Sequence, residues 1–170
     1  MKPAQLALIS TVARAHGGSL RQGKRKIARP IDSKRALHVV LRSYRARGDW
    51  SMLTKRNKGI VALLVDDTAK RFGVKVYRFE NVGNHLHILL RGRRRREIQN
   101  FLRVLPQRIM FQITGARKGN PRGRFWDVLA YSRVVQWGRE FKIVKNYLGK
   151  NMLEALGLQW LLAYSDIPDS

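Results

Sequence analysis

The chain contains no cysteine, which excludes disulfide frameworks and thiolate metal sites and leaves the redox compartment undetermined. Acidic residues are scarce: 11 Asp and Glu stand against 35 Lys and Arg, a formal net charge of +24 over 170 residues. Such an excess cannot be neutralised within the chain. Its self-repulsion opposes the compact state, so it implies a polyanionic partner rather than an aid to solubility alone. Long apolar runs and lysine-rich amphipathic helices are also missing, which favours nucleic acid over membrane as that polyanion. The opening Leu6-Ala-Leu-Ile9 and Ala13-Arg14-Ala15 imitate an export signal. Gln5, Ser10 and Thr11 interrupt the apolar stretch and Arg14 sits inside the cleavage motif, so a cytoplasmic, nucleoid-associated location is expected.

What is present suffices for one core. A hydrophobic fraction of 44% fits one folded domain and not a wholly disordered basic protein. Residues 1–34 read as a basic tail, broken by Gly17-Gly18, Gly23 and Pro30 and charged by Arg21, Lys24, Arg25, Lys26 and Arg29. Residues 35–154 read as the folded domain and 155–170 as a C-terminal tail.

Within that domain Ala36–Arg42 alternates as a strand with Leu37, Val39 and Leu41 on one face. A polar, basic connection runs from Arg45 to Asn57. Ile60, Leu63, Leu64 and Phe72 then form a helical stripe stopped by Gly73. Val74–Glu80 and His85–Leu90 form a hairpin about Asn81-Val-Gly-Asn84. Ile98, Phe101, Leu102, Leu105, Ile109 and Ile113 mark a helix over Glu97–Thr114, bent at Pro106 and ended by Gly115. After a glycine-rich basic loop, Gly115 to Gly123, come a strand at Ala130–Val135 and a helix at Arg139–Glu154 packed through Phe141, Val144, Leu148 and Met152.

The order β-α-β-β-α-β plus a last helix predicts an α+β, ferredoxin-like antiparallel sheet with two helices on one face. Leu86, Ile88 and Leu90 then face those helices. His85 and His87 emerge on the open face, where the last helix is free to bring Tyr147 and Asn151.

His-x-His on a strand is a compact bidentate ligand set that leaves an octahedral ion most of its sphere for water, phosphate and a further oxygen. The Asn151 amide can supply that oxygen. Tyr147 is the candidate nucleophile: a phenol, with pKa about 10, attacks phosphorus when a neighbouring cation favours phenolate. Together these residues point to metal-assisted phosphoryl transfer on single-stranded DNA. Arg93, Arg94, Arg95 and Arg96, at the strand's exit and next to the histidines, are read as gripping phosphates. Arg91, Arg133, Lys145 and Lys150 join them as candidate DNA-binding cations. Trp50, Phe125, Trp126, Tyr131 and Trp137 are candidates for base stacking or for the core. The competing reading of His85 and His87 is an ordinary polar strand face, and of Tyr147 a partly buried core aromatic.

His85-Leu86-His87 with Tyr147 and Asn151 downstream resembles the HUH single-tyrosine transposases of bacterial insertion sequences, and more narrowly the REP-associated tyrosine transposases. Supporting marks are Leu37-His-Val-Val-Leu-Arg42, Asn84-His-Leu-His, Phe125-Trp126 with Tyr131 and Arg133, and Val144-Lys-Asn-Tyr-Leu148. The resemblance spans roughly Ala36 to Asn151. It implies a ferredoxin-like domain, usually dimeric, that cleaves and rejoins single-stranded DNA at hairpin-associated, REP-like sites. Mg²⁺ or Mn²⁺ serves as cofactor and the tyrosine becomes linked to the 5′-phosphate. By position His85 and His87 match the metal histidines and Tyr147 the nucleophile. Asn151 stands where many members have glutamine. A domesticated, non-catalytic nucleic-acid-binding protein of the same fold is the alternative, and a basic RNA-associated structural protein a third.

Overall fold

A computed structural model of the chain describes residues 14–21, 23 and 27–150 in full and the backbone of 151–155. In chain order the elements are β1 (Ala15–His16), β2 (Ala36–Arg42), α1 (Lys55–Phe72), β3 (Val74–Asn81), β4 (His85–Gly92), α2 (Arg95–Thr114), β5 (Tyr131–Val135) and α3 (Arg139–Ala155). The sheet runs β1-β5-β2-β4-β3 with every pair antiparallel. From β2 onward the chain follows the expected β-α-β-β-α-β order with a final helix.

Strand alternation decides which side chains enter which layer. Leu37, Val39 and Leu41 of β2, Leu86, Ile88 and Leu90 of β4 and Val134 of β5 are buried beneath α1 and α2. Those helices contribute Val61, Val65 and Ala69, and Ile98, Phe101, Leu105, Ile109 and Ile113. Each large apolar side chain so buried stabilises the fold by about 1.5–3 kcal/mol relative to its exposed state. On the other face Ala36, Leu89 and Val135 meet Val144 and Leu148 of α3, flanked by Tyr77 and Phe141. The last helix therefore lies across the face that α1 and α2 leave open.

Local chemistry sets the helix ends. Thr54 Oγ1 accepts the Asn57 backbone N–H at 3.1 Å, and Gly73 closes α1 in the left-handed region at φ +67°. The Glu97 carboxylate accepts the backbone N–H groups of Arg93 at 2.7 Å and Arg94 at 3.1 Å, which starts α2 earlier than apolar spacing indicated. Pro106 lies inside α2, and its carbonyl accepts the Trp126 indole N–H at 2.8 Å.

Two expectations need correction. The α1 stripe is Val61, Val65, Thr68 and Ala69, whereas Leu63 is exposed; the helix begins at Lys55, inside the stretch expected to be a connection. The described part of residues 1–34 is also not merely a tail. Ala15 and His16 pair with Arg133 and Ser132 as an edge strand, and Arg29 Nη1 donates to Ser132 Oγ at 2.5 Å. Residues 1–13, 22, 24–26 and 156–170 lie outside the described residues.

Candidate active site

The β3–β4 hairpin delivers two imidazoles to the α3 face. Its tip is pinned from outside: the Met52 N–H donates to the Gly83 carbonyl at 2.9 Å, and Asn81 Nδ2 donates to the Met52 carbonyl at 2.7 Å. Gly83 itself sits at φ +92°, a conformation that favours glycine. Past the turn, His85, His87 and Leu89 share one face by alternation, and Leu89 is the residue on which Val144 and Leu148 of α3 rest.

The His85 and His87 rings lie 4.8 Å apart between centroids at an interplanar angle of 73°. His85 Nδ1 is 2.6 Å from Asn84 Oδ1, so Nδ1 carries the proton and Nε2 presents its lone pair. His87 is buried, with Nδ1 3.2 Å from His38 Nε2 of β2. Its Nε2 is buried too and has no hydrogen-bond partner among the described residues.

Burial favours the neutral form of all three rings. His38 is pushed down to about 3 by burial, then by the charges of His87 and Arg133. His87 is pushed down to about 4 by burial and then by His85. His85 is lowered by burial and then by Arg42. Neutral imidazoles keep a nitrogen lone pair, the form that ligates metal.

An ion pair supports the same corner. Glu80, the register partner of His87, is buried and paired with Arg78. Burial raises its carboxyl above the ordinary carboxylate range, and Arg78 opposes that rise. A β3 bulge between Val76 and Arg78 directs both Tyr77 and Arg78 toward α3. Arg78 Nη2 comes within 3.1 Å of where a Cβ would stand at Gly149. Glycine in that turn of α3 therefore serves a close approach.

Tyr147 is 56% exposed on α3 and makes no hydrogen bond among the described residues. The structure thus brings its helix onto the imidazole face without joining the hydroxyl to a ring. Asn151 lies one helical turn further on, with its side chain outside the described residues.

The cations divide by position. Arg93, Arg94, Arg95 and Arg96 are exposed, but β4 carries them away from the imidazoles. Six residues at strand rise put Arg93 roughly 20 Å from His87, so the expectation that they lie next to the histidines is corrected. Arg95 Nη2 donates to the Arg29 carbonyl at 2.8 Å. Arg91 Nε donates to the Ser33 carbonyl at 2.9 Å and its guanidinium lies over Trp137. Arg133 is paired with Glu140 at 3.0 Å and stands opposite His38 in register. Lys145 and Lys150 are exposed on α3.

Near the imidazoles the cation that sequence reasoning missed is Arg42, register partner of His85 and 3.8 Å from Asp127. It lines a cleft of about 580 Å³ together with Leu20, Val40, Leu129 and Tyr131. Of the aromatic residues, Phe125 is buried and Trp50 and Trp126 pack against the core. Trp137 packs on Tyr77 and Phe141 while its indole N–H donates to the Lys34 carbonyl at 2.7 Å. Tyr131 remains available to a ligand in the cleft.

Among the described residues no group of three or more His, Asp or Glu is arranged to hold a metal ion. Two adjacent neutral imidazoles, one bearing a buried nitrogen with no partner, nevertheless fit a divalent cation completed by oxygen ligands. No helix among the described residues is long and apolar enough to cross a membrane.

No protein-family model and no curated protein matches the sequence. Among solved structures, a candidate transposase from Deinococcus radiodurans R1 aligns at 12% identity and a TM-score of 0.45, over 75% of this chain and 98% of that one. A REP-associated tyrosine transposase bound to a REP hairpin aligns at 10% identity and a TM-score of 0.52, covering 76% of this chain and 73% of that one. The chain shares the α+β fold of that transposase, an antiparallel sheet packed with helices.

Proposed function

We propose that the chain is a transposase-type enzyme that cuts and rejoins single-stranded DNA through a tyrosine nucleophile. The observation that carries this reading is the pair of neutral imidazoles on the sheet face where the tyrosine-bearing helix docks, within a fold shared with a REP-associated tyrosine transposase. In this reading the Tyr147 oxygen forms a bond to phosphorus. The 3′-oxygen leaves and takes up a proton, and the 5′-phosphate stays on the phenol for later rejoining. His85 and His87, with Asn151, would hold Mg²⁺ or Mn²⁺. When bound, the ion polarises the scissile phosphate and offsets its developing charge.

The chain's own groups supply the rest. Arg42 and Arg133 flank the imidazoles and attract the backbone there. The cleft beside Tyr131 accepts an unpaired base. Arg93 to Arg96 grip phosphates several nucleotides away, where a REP-like hairpin continues from the cut strand. The working form is a homodimer in the cytoplasm.

Hairpin-tailed single-stranded DNA incubated with the protein and Mn²⁺ yields an adduct that survives a denaturing gel. Tyr147→Phe abolishes the adduct while hairpin binding persists. Absence of an adduct on every hairpin from the gene's own flanks overturns the reading. The second reading, a non-catalytic nucleic-acid-binding protein, draws on the unengaged Tyr147 hydroxyl. It expects salt-sensitive binding that neither chelator nor Tyr147→Phe alters.

A further inference from the structure

Two buried features remain outside the roles given above: the Glu80–Arg78 pair and His38. The second is the more constrained, because an imidazole on β2 meets a proposed metal ligand through its ring nitrogen. The His38 and His87 rings meet edge to edge, their planes inclined by 12° and their centroids 5.4 Å apart, with His38 Nε2 3.2 Å from His87 Nδ1. In a nitrogen-to-nitrogen hydrogen bond one ring donates and the other accepts.

The two ways of placing the proton are not equivalent. Donation from His38 Nε2 requires a lone pair at His87 Nδ1, which puts the His87 proton on Nε2. That atom is buried and lacks a partner among the described residues, so an N–H there is a stranded donor that cannot ligate anything. Donation from His87 Nδ1 leaves a bare lone pair on Nε2. His85 already has this arrangement, with Nδ1 directed at Asn84 Oδ1.

We infer that His38 is a positioning residue that accepts the His87 Nδ1 proton and thereby fixes His87 in the tautomer whose Nε2 binds a divalent cation. Its role matches that of the outer hydrogen-bond acceptors that orient ligating histidines. This inference rests on the metal-site reading given above. It adds that the second strand supplies the acceptor for one ligand, while the hairpin turn supplies the acceptor for the other.

Mn²⁺ affinity at fixed pH, followed by electron paramagnetic resonance without DNA, separates the two levels of the claim. His87→Ala abolishes binding. His38→Leu weakens it about 10–100-fold, and His38→Gln, whose amide oxygen can take the place of Nε2, restores most of it. Equal Mn²⁺ affinity in wild type and His38→Leu overturns the positioning role and leaves the metal site standing. Failure of the wild type to bind Mn²⁺, or no effect of His87→Ala, overturns the site itself. Because His38→Leu faces folding risk, ¹⁵N shifts of the metal-free wild type give a second measurement. A His87 proton on Nδ1 supports the inference, and a proton on Nε2 refutes it.

Discussion

Acid should unfold this chain through its buried imidazoles, and the size of the effect can be worked from the site. His38 and His87 titrate near 3 and 4 in the fold, against 6.5 for an unperturbed ring. Their folded values lie below the unfolded ones. The associated stability is therefore complete above pH 6.5 and is lost as pH falls from there toward the folded values, because only the unfolded chain gains the protons. Each ring contributes about 1.36 kcal/mol per pH unit across that window. Between pH 6.5 and 4.5 the two together cost on the order of 5 kcal/mol, a large share of the roughly 5–15 kcal/mol that holds a domain folded. His38→Gln removes one titrating ring and should halve that loss. Urea unfolding of both proteins at half-unit steps from pH 7 to 4.5, in EDTA so that no bound cation contributes, measures the difference. Parallel curves for wild type and His38→Gln would refute the claim that the buried ring stays neutral.

Other perturbations test separate parts of the structure. Arg78→Leu strands the buried Glu80 carboxylate, so the variant should be destabilised at pH 7 and recover part of the deficit as pH falls and that carboxyl, already raised by burial, protonates; urea midpoints across a descending pH series report it. Gly92→Ala places a Cβ 2.7 Å from Ile98 Cγ1 and should cost about 1–3 kcal/mol by chemical denaturation. Thr54→Ala removes the α1 cap and should cost about 0.5–2 kcal/mol by the same measurement. Arg93→Ala with Arg94→Ala should flatten the salt dependence of hairpin binding by about 0.7–0.9 per lost phosphate contact, while adduct formation at saturating DNA persists.

Elements whose burial pattern has a single period were legible in the sequence. β2 and β4 bury alternate residues under α1 and α2, and α2 keeps one long apolar stripe, so their boundaries fall within about two residues of expectation. The first helix misled because its buried stripe uses small and β-branched residues, Val61, Val65, Thr68 and Ala69, while Leu63 points to solvent. Apolar size was the wrong guide there. The edge strand Ala15–His16 had no local signature: two residues pair with β5 only because that edge of the sheet is open to receive them.

For the site, the alternation that exposed His85 and His87 applied equally to β2 and was not carried across the ladder. With Leu37, Val39 and Leu41 facing the helices, His38 and Arg42 must share the imidazole face; antiparallel pairing then sets Arg42 opposite His85 and His38 opposite Leu89, diagonal to His87. Strand rise likewise dictates that an arginine run beginning six residues after His87 stands far from it. Both consequences followed from period and direction alone. The Glu80–Arg78 support depends instead on a bulge, an insertion in one strand relative to its partner that neither strand encodes separately. That bulge sends Tyr77 to Phe141 in the first turn of α3 and Arg78 to Gly149 two turns further on, so one irregular residue in β3 places two contacts along the helix that carries Tyr147. The seating of the Tyr147 helix on the imidazole face is thus governed in part by packing on β3, and the histidine motif by itself says nothing about it.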